Sequence, residues 1–314
     1  MRTTLKTLWE TDARLTAVGL AMFALLVVTG MALLVDPREV LGAPAWMKPA
    51  KFAVSIGIYT LTLAWVFTYL PEWTRMRRMV SWITAVTLVL EIVIIDVQAW
   101  RGTTSHFNVG TLVDGVLFSI MGLAIFAQTL AATAVAVALW RQRFSDRAIG
   151  WALRFGMTIT IIGAMTGGLM TTPTTAQLEA ARAGARMTVS GAHTVGGPDG
   201  GPGLPGVGWS REHGGIRVAH FLGLHALQIL PLLALFFTAR GWPELRRTRF
   251  VWAMSASYVS LFGLLLWQAL RGQSVTAPDG TTLTAMAVWG LLSASALVIA
   301  SARRESPRVH AVVY

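Results

Sequence analysis

The chain of 314 residues is 54% hydrophobic and only 13% charged, with a mean hydropathy of +0.58, where soluble domains carry about a quarter charged residues. The 26 Lys and Arg against 15 Asp and Glu give a net charge of +11, but the excess lies between apolar segments, where it sets membrane topology and does not point to nucleic acid. The absence of cysteine excludes disulfides, thiolate metal sites, iron–sulfur clusters, covalently attached haem and thiol nucleophiles.

A membrane-crossing helix needs about 20 mainly apolar residues. Eight stretches qualify, at 15–35, 51–70, 79–99, 112–140, 148–170, 218–239, 250–270 and 282–301. They predict an all-α, polytopic membrane helix bundle of eight spans, one membrane domain over residues 1–314. Ala43-Pro44-Ala45 resembles a signal-peptide cleavage site, but the apolar run before it is too long and the site too far downstream, so the first segment reads as a retained helix. With the N-terminus inside, the inner segments hold sixteen Lys and Arg, among them Arg2, Arg75, Arg77, Arg78, Arg303, Arg304 and Arg308. The outer segments hold nine, four of them in one long loop. The asymmetry predicts that both termini face the cytoplasm and that the chain lies in the inner membrane.

In the second segment Lys51, Ser55, Tyr59 and Thr62 form a polar stripe, and in the third Thr84, Thr87, Glu91 and Gln98 recur on one helical face. Such a face turns to protein or water, not lipid. For the hydroxyls, interhelical hydrogen bonding explains it; for Glu91 and for Asp96, on another face one turn above, the cost of a carboxylate in a span marks a functional candidate. Farther along, Gly163 and Gly167 have the spacing of close-packed helices, and Pro173 ends the fifth span. A loop over 171–217 follows. TTAQLEAARAGARM has good helix formers, whereas HTVGGPDGGPGLP carries turn signals too dense for regular structure. The expectation is an ordered lid over the outer mouth; a disordered linker is the alternative.

With this topology His106, His193, His213, His220 and His225 fall on the outer side, and only His310 does not. Five residues on a helix give about 140° of rotation and about 7.5 Å of rise, so His220 and His225 cannot chelate one ion as an i, i+4 pair. His106 and His220 share a depth at which they could meet across the third and sixth spans. His225 lies deeper, one turn above Gln228. Three kinds of site suit this set: paired imidazoles around haem b, His with carboxylates or Met165 and Met170 around copper or iron, or a metal-free site that hydrogen-bonds a quinone or another polar head group.

At HTVGGPDGGPGLPGVGWS and IRVAHFLGLHALQILP, with WMKPAKFAVS (46–55) and QAWRGTTSHFN (98–108), the chain resembles a family of bacterial multi-pass membrane proteins over residues 45–235. The resemblance implies membership and carries no activity with it. The helix count and the outer histidines also resemble haem A synthase and the membrane cytochromes b, although the ligand spacings of those proteins do not occur here.

The leading expectation is a haem- or metal-dependent membrane oxidoreductase. Its metal ligands come from His106, His193, His220 and His225, and its catalytic groups from Glu91, Asp96 and Gln98. Arg101, Arg217, Lys51 and Gln228 hold the cofactor or an anionic substrate. The alternatives are a proton-coupled transporter or channel, against which stands the lack of an internal repeat or a broken helix pair, and a metal-free membrane binding or scaffold protein.

Overall fold

The computed structural model describes residues 4–302; Arg2, Arg303, Arg304, Arg308 and His310 lie outside the described residues. Helix α1 (Leu5–Thr11) stops at Asp12, whose carboxylate caps α2 (Ala13–Val35) by accepting the Leu15 N–H at 3.0 Å. A two-residue hairpin, β1 (Glu39–Val40) with β2 (Ala43–Pro44), leads into α3 (Met47–Phe67). Then follow α4 (Thr74–Trp100), α5 (Leu112–Arg141), α6 (Arg147–Thr171) and the short α7 (Thr175–Arg182). After the long loop, in which β3 (Thr194–Val195) pairs with β4 (Gly214–Gly215), come α8 (Ile216–Leu224), α9 (Ala226–Ala239), α10 (Glu244–Leu270) and α11 (Gly280–Ser301).

Among the described residues, seven helices (α2 to α6, α10 and α11) are long and apolar enough to cross a membrane, and α8 with α9 makes an eighth if the bent pair is one span. The protein is thus an all-α, multi-pass helix bundle. Its outer surface is apolar as lipid requires: Leu123, Phe126, Leu291, Val298 and Ile299 are exposed. Inside, Leu63 and Phe67 of α3, Leu139 of α5, Met157 of α6 and Leu227 and Leu230 of α9 share the main buried cluster.

The sixth segment departs from expectation. The sequence shows no broken helix, yet α8 and α9 meet at a 45° bend. Two features disturb the helix here: Pro231 in α9 has no N–H to return to the Leu227 carbonyl, and a hydroxyl of α6 enters the break. Thr160 of α6 donates to the Leu224 carbonyl at 3.3 Å and accepts the Leu227 N–H at 3.1 Å, entering the ladder that a straight helix would close. Gly163 of α6 and Gly223 of α8 lie backbone to backbone beside it, close enough that a Cβ on either would sit 2.6 or 2.5 Å from the other's Cα. Small residues permit that approach.

The loop between α7 and α8 lies against the bundle and is hydrogen-bonded along its length. Val109 N–H donates to Thr188 O at 2.9 Å, Ser190 N–H to Phe107 O at 2.8 Å, and Ala192 N–H to Met170 O at 2.9 Å. Ser274, beyond α10, donates to Ser210 O at 2.8 Å. Backbone density replaces side chains here: a Cβ on Gly214 would lie 1.9 Å from the Ala269 carbonyl oxygen.

Candidate functional site

The site is built around His106, on the turn between α4 and α5. Its Nδ1 lies 3.0 Å from Lys48 Nζ and 3.1 Å from Ser105 Oγ, and its Nε2 lies 3.5 Å from Glu91 Oε1. When Lys48 is an ammonium it can only donate; Nδ1 then accepts and the ring proton sits on Nε2, facing the carboxylate. Phe52 closes one side of the imidazole, its ring centre 5.8 Å away. Glu91 is 2% exposed and its second oxygen, Oε2, has no hydrogen-bond partner. A buried carboxylate oxygen left unpaired is costly, and it marks the position where a further polar group or a proton belongs.

Phe107 sets the next layer. Its backbone is left-handed, φ 63°, which a bulky side chain adopts only where surrounding contacts impose it. Here the loop holds the Phe107 carbonyl and the ring packs 4.7 Å from His193 and 5.9 Å from Phe118. His193 Nδ1 donates to Asp199 Oδ2 at 2.8 Å, and the His193 N–H points to the same carboxylate at 2.9 Å. Asp199 therefore pins the PDG turn onto the histidine. Arg217, at the start of α8, donates to the Gly208 carbonyl and forms the floor of a cleft within the loop that is also lined by Thr194, Gly200, Ser210, Glu212 and His213. Its charge reaches Lys48, Lys51 and His193. Neither Lys51 nor Arg217 has an ion-pair partner among the described residues.

The expected metal set does not assemble. Among the described residues no three His, Asp or Glu side chains converge as a metal requires. The Phe107 ring lies against both His106 and His193, and Lys48 occupies Nδ1 of His106 while Nε2 faces Glu91. His220 Nδ1 is engaged by the Gly163 carbonyl at 2.9 Å and Thr166 Oγ1 at 3.0 Å, within electrostatic reach of His106 but not bonded to it. Helix α8 packs chiefly on α6 and α10, not on α4, so the third and sixth spans do not face each other; the turn carrying His106 bridges the distance. His225 meets Phe221 edge-on at the helix break, with centroids 4.3 Å apart, and the Gln228 amide donates to the His225 and Leu224 carbonyls there at 3.2 and 3.3 Å.

Two expected site residues, Gln98 and Arg101, bond to Asp114 at the α4–α5 turn. Gln98 donates to Asp114 Oδ1 at 2.9 Å, and Arg101 donates to the same oxygen at 2.7 Å and to Gln98 Oε1 at 2.5 Å. The three tie the α4–α5 turn together, with Nη1 of Arg101 making both of its bonds. Asp96 makes no hydrogen bond or ion pair among the described residues, and its Oδ1 is buried; it stands apart from the cluster. Sequence reasoning missed Lys48, Ser105, Phe107 and Asp199. Lys48 looked like a topology charge and Asp199 like a turn residue; the usable signal was Lys48 three residues before Lys51 at the mouth of a span.

Outside the spans, burial pushes His106 well below the ordinary histidine value of 6.5, and the Lys48 charge adds to this. Burial also lowers His193, outweighing its bond to Asp199. Burial works to raise the Asp199 carboxyl, but the hydrogen bonds it accepts from the His193 ring and backbone N–H help hold the group below the usual range. Asp199 therefore stays ionised, and both imidazoles are neutral when the loop is docked. A base whose value is lowered by docking binds more protons when the loop opens, so docking is strongest above about pH 6.5 and weakens as pH falls below it, by at most about tenfold per pH unit for each histidine. Hydrogen exchange of the 193–199 amides, corrected for intrinsic rates, should accelerate from pH 7.5 to pH 5; a flat profile would remove this coupling.

Comparison of the chain with protein-family models, with curated proteins and with solved structures gives no match, so the geometry around His106 is what bears on function.

Proposed function

We propose that this protein binds a small molecule with an anionic head group in a metal-free site beneath the 171–217 loop, which acts as its lid. In this reading the chain spans the inner membrane eight times, counting α8 with α9 as one span, with both termini cytoplasmic and the lid outside. The observation that carries it is the clustering of Lys48, which holds His106, with Lys51 and Arg217 within charge reach, the latter two without an ion-pair partner among the described residues. Asp199 offsets part of this charge at Lys48 and Arg217, and the three cations still outnumber it, an excess that favours a further anion. A carboxylate or phosphate head group meets that need. Glu91 and His106 then stand ready to exchange a proton with the ligand. A quinone is the second candidate, because Lys48 and the Nε2–H of His106 offer donors to a carbonyl oxygen.

Binding to the purified protein, followed by intrinsic Trp fluorescence, separates the classes. Palmitate, inorganic phosphate and a short-chain quinone serve as probes. The expected result is saturable binding of palmitate or phosphate, weakened about tenfold in Lys51→Ala and again in Arg217→Ala, since about 1.4 kcal/mol corresponds to tenfold. Binding of the quinone alone would shift the reading to redox chemistry at the same site. No binding of any probe would sink it. The histidine geometry also gives a spectroscopic expectation: no Soret band and no stoichiometric copper or iron after purification with haem and metals supplied during expression. A haem spectrum lost in His106→Ala would overturn the metal-free assignment.

A further inference from the structure

One face of α4 carries polar side chains from one end of the bundle to the other. At the end away from the lid, Ser81 donates to Asp12 Oδ1 at 2.8 Å and accepts from Arg14 Nε at 3.1 Å. One turn on is Thr84, then Thr87, whose hydroxyl lies 3.3 Å from Gln128 Oε1; Gln128 in turn donates to the Tyr59 hydroxyl of α3 at 3.0 Å. One turn farther is Glu91, which meets His106 and Lys48. Positions 81, 84, 87 and 91 fall within about 120° of the helix circumference and are separated by about one turn, roughly 5 Å each. A single water molecule spans such a gap between two hydroxyls.

Interhelical bonding is the ordinary reason for polar groups in a membrane helix, and it accounts for Ser81, Thr87 and Gln128. It does not account for the other two. Thr84 is 0% exposed and Glu91 2%, and among the described residues the Thr84 hydroxyl and Glu91 Oε2 have no hydrogen-bond partner. Unpaired groups hold no helices together. They sit in the same file, between two ends that reach the surface: Arg14, with 39% of its side chain exposed, and His106, with 23%. The bend at α8–α9 adds an interrupted span, a feature of membrane proteins that move ions.

We infer that this file is a proton path linking the lid site to the opposite face of the membrane, with Glu91 as its obligatory carrier. The lid-side step is a relay through the imidazole. An N–H bond of the Lys48 ammonium breaks as Nδ1–H forms on His106, while Nε2–H breaks and an O–H bond forms on Glu91. The histidine ends neutral with its proton on Nδ1, and a flip of the ring that carries this N–H to the Glu91 side and the bare nitrogen to Lys48 resets it for the next proton. Lys48 recovers its proton from the lid side, and Glu91 passes its own along Thr87, Thr84 and Ser81. Protons move and no electrons do. The path shares Glu91, His106 and Lys48 with the proposed head-group site but does not depend on any ligand binding there.

The test is proton uptake by proteoliposomes that contain a pH-sensitive dye, driven by a potassium diffusion potential set with valinomycin. Flux in the wild type should exceed that of protein-free vesicles, and Glu91→Gln should lower it at least tenfold. Thr84→Val is the sharper variant: it removes a hydroxyl with no partner, so flux should fall while the melting temperature is kept or raised and phosphate and palmitate binding is unchanged. Wild-type flux equal to that of empty vesicles, Glu91→Gln conducting like wild type, or Thr84→Val leaving flux untouched would each overturn the path. Phosphate and palmitate binding measured on the same preparations shows separately whether the head-group reading stands.

Discussion

Gly163→Val should destabilise the protein by about 3 kcal/mol or more, lowering the melting temperature in detergent by roughly 10 °C. The new Cβ would lie 2.6 Å from Gly223 Cα and 2.9 Å from Leu224 N. Those atoms are backbone and cannot swing aside as a side chain can. Relief requires α6 and α8 to separate, which also pulls the Gly163 carbonyl from His220 and the Thr160 hydroxyl from the α8–α9 break. The effect on the site should therefore accompany the loss of stability. Gly290→Ala, in α11 with nothing within 4 Å of the added carbon, is the control; it should be neutral or stabilising by up to about 1 kcal/mol through helix propensity. Equal melting temperatures for the two variants would show that the helices do not meet at these glycines.

Gly191→Ala should unseat the lid. Gly191 has φ +102°, and a Cβ there would lie 2.2 Å from the Met170 carbonyl oxygen. Its own N–H and carbonyl are both held by the Gln177 side chain at 2.9 Å. No rotamer relieves an overlap with backbone, so the loop must lift from the end of α6. A loss of about 3 kcal/mol in docking raises the open population by about two orders of magnitude, and proteolysis that samples the open form follows it. The measurement is the rate of cleavage within 191–215, together with phosphate or palmitate affinity in the same variant. Gly201→Ala, whose added carbon would meet only Glu212 Oε2 at 3.9 Å, should cleave like wild type. If Gly191→Ala does as well, the loop is not seated as described.

The bundle was legible in the sequence because each apolar run is as long as a bilayer is thick, and the residues that end the runs are good caps. Asp12, Thr111, Asp146 and Asp279 each accept an N–H from the first turn of the following helix. Glu91 stood out for a similar reason, since a carboxylate in such a run needs a purpose. The break in the sixth span did not show, because Pro231 alone reads as a tolerated helix proline and Thr160, whose hydroxyl enters the break, lies 64 residues before Leu224 and reads there as one more helical threonine. Arg101 read as a ligand clamp because Asp114, its partner, is on the next helix and looks like an ordinary first-turn acid.

What the sequence determined by itself is the solvent: a chain with this little charge and these apolar lengths can satisfy its backbone in lipid only as helices. What the tertiary structure decided is which polar groups meet. Periodicity assigns a side chain to a face of its own helix, but it carries no information on which neighbour that face finds. Lys48 and Glu91 come from antiparallel helices, and the turn after α4 carries His106 between them. That placement made one imidazole an acceptor from an ammonium and a donor toward a buried acid, and it left the remaining histidines to other partners.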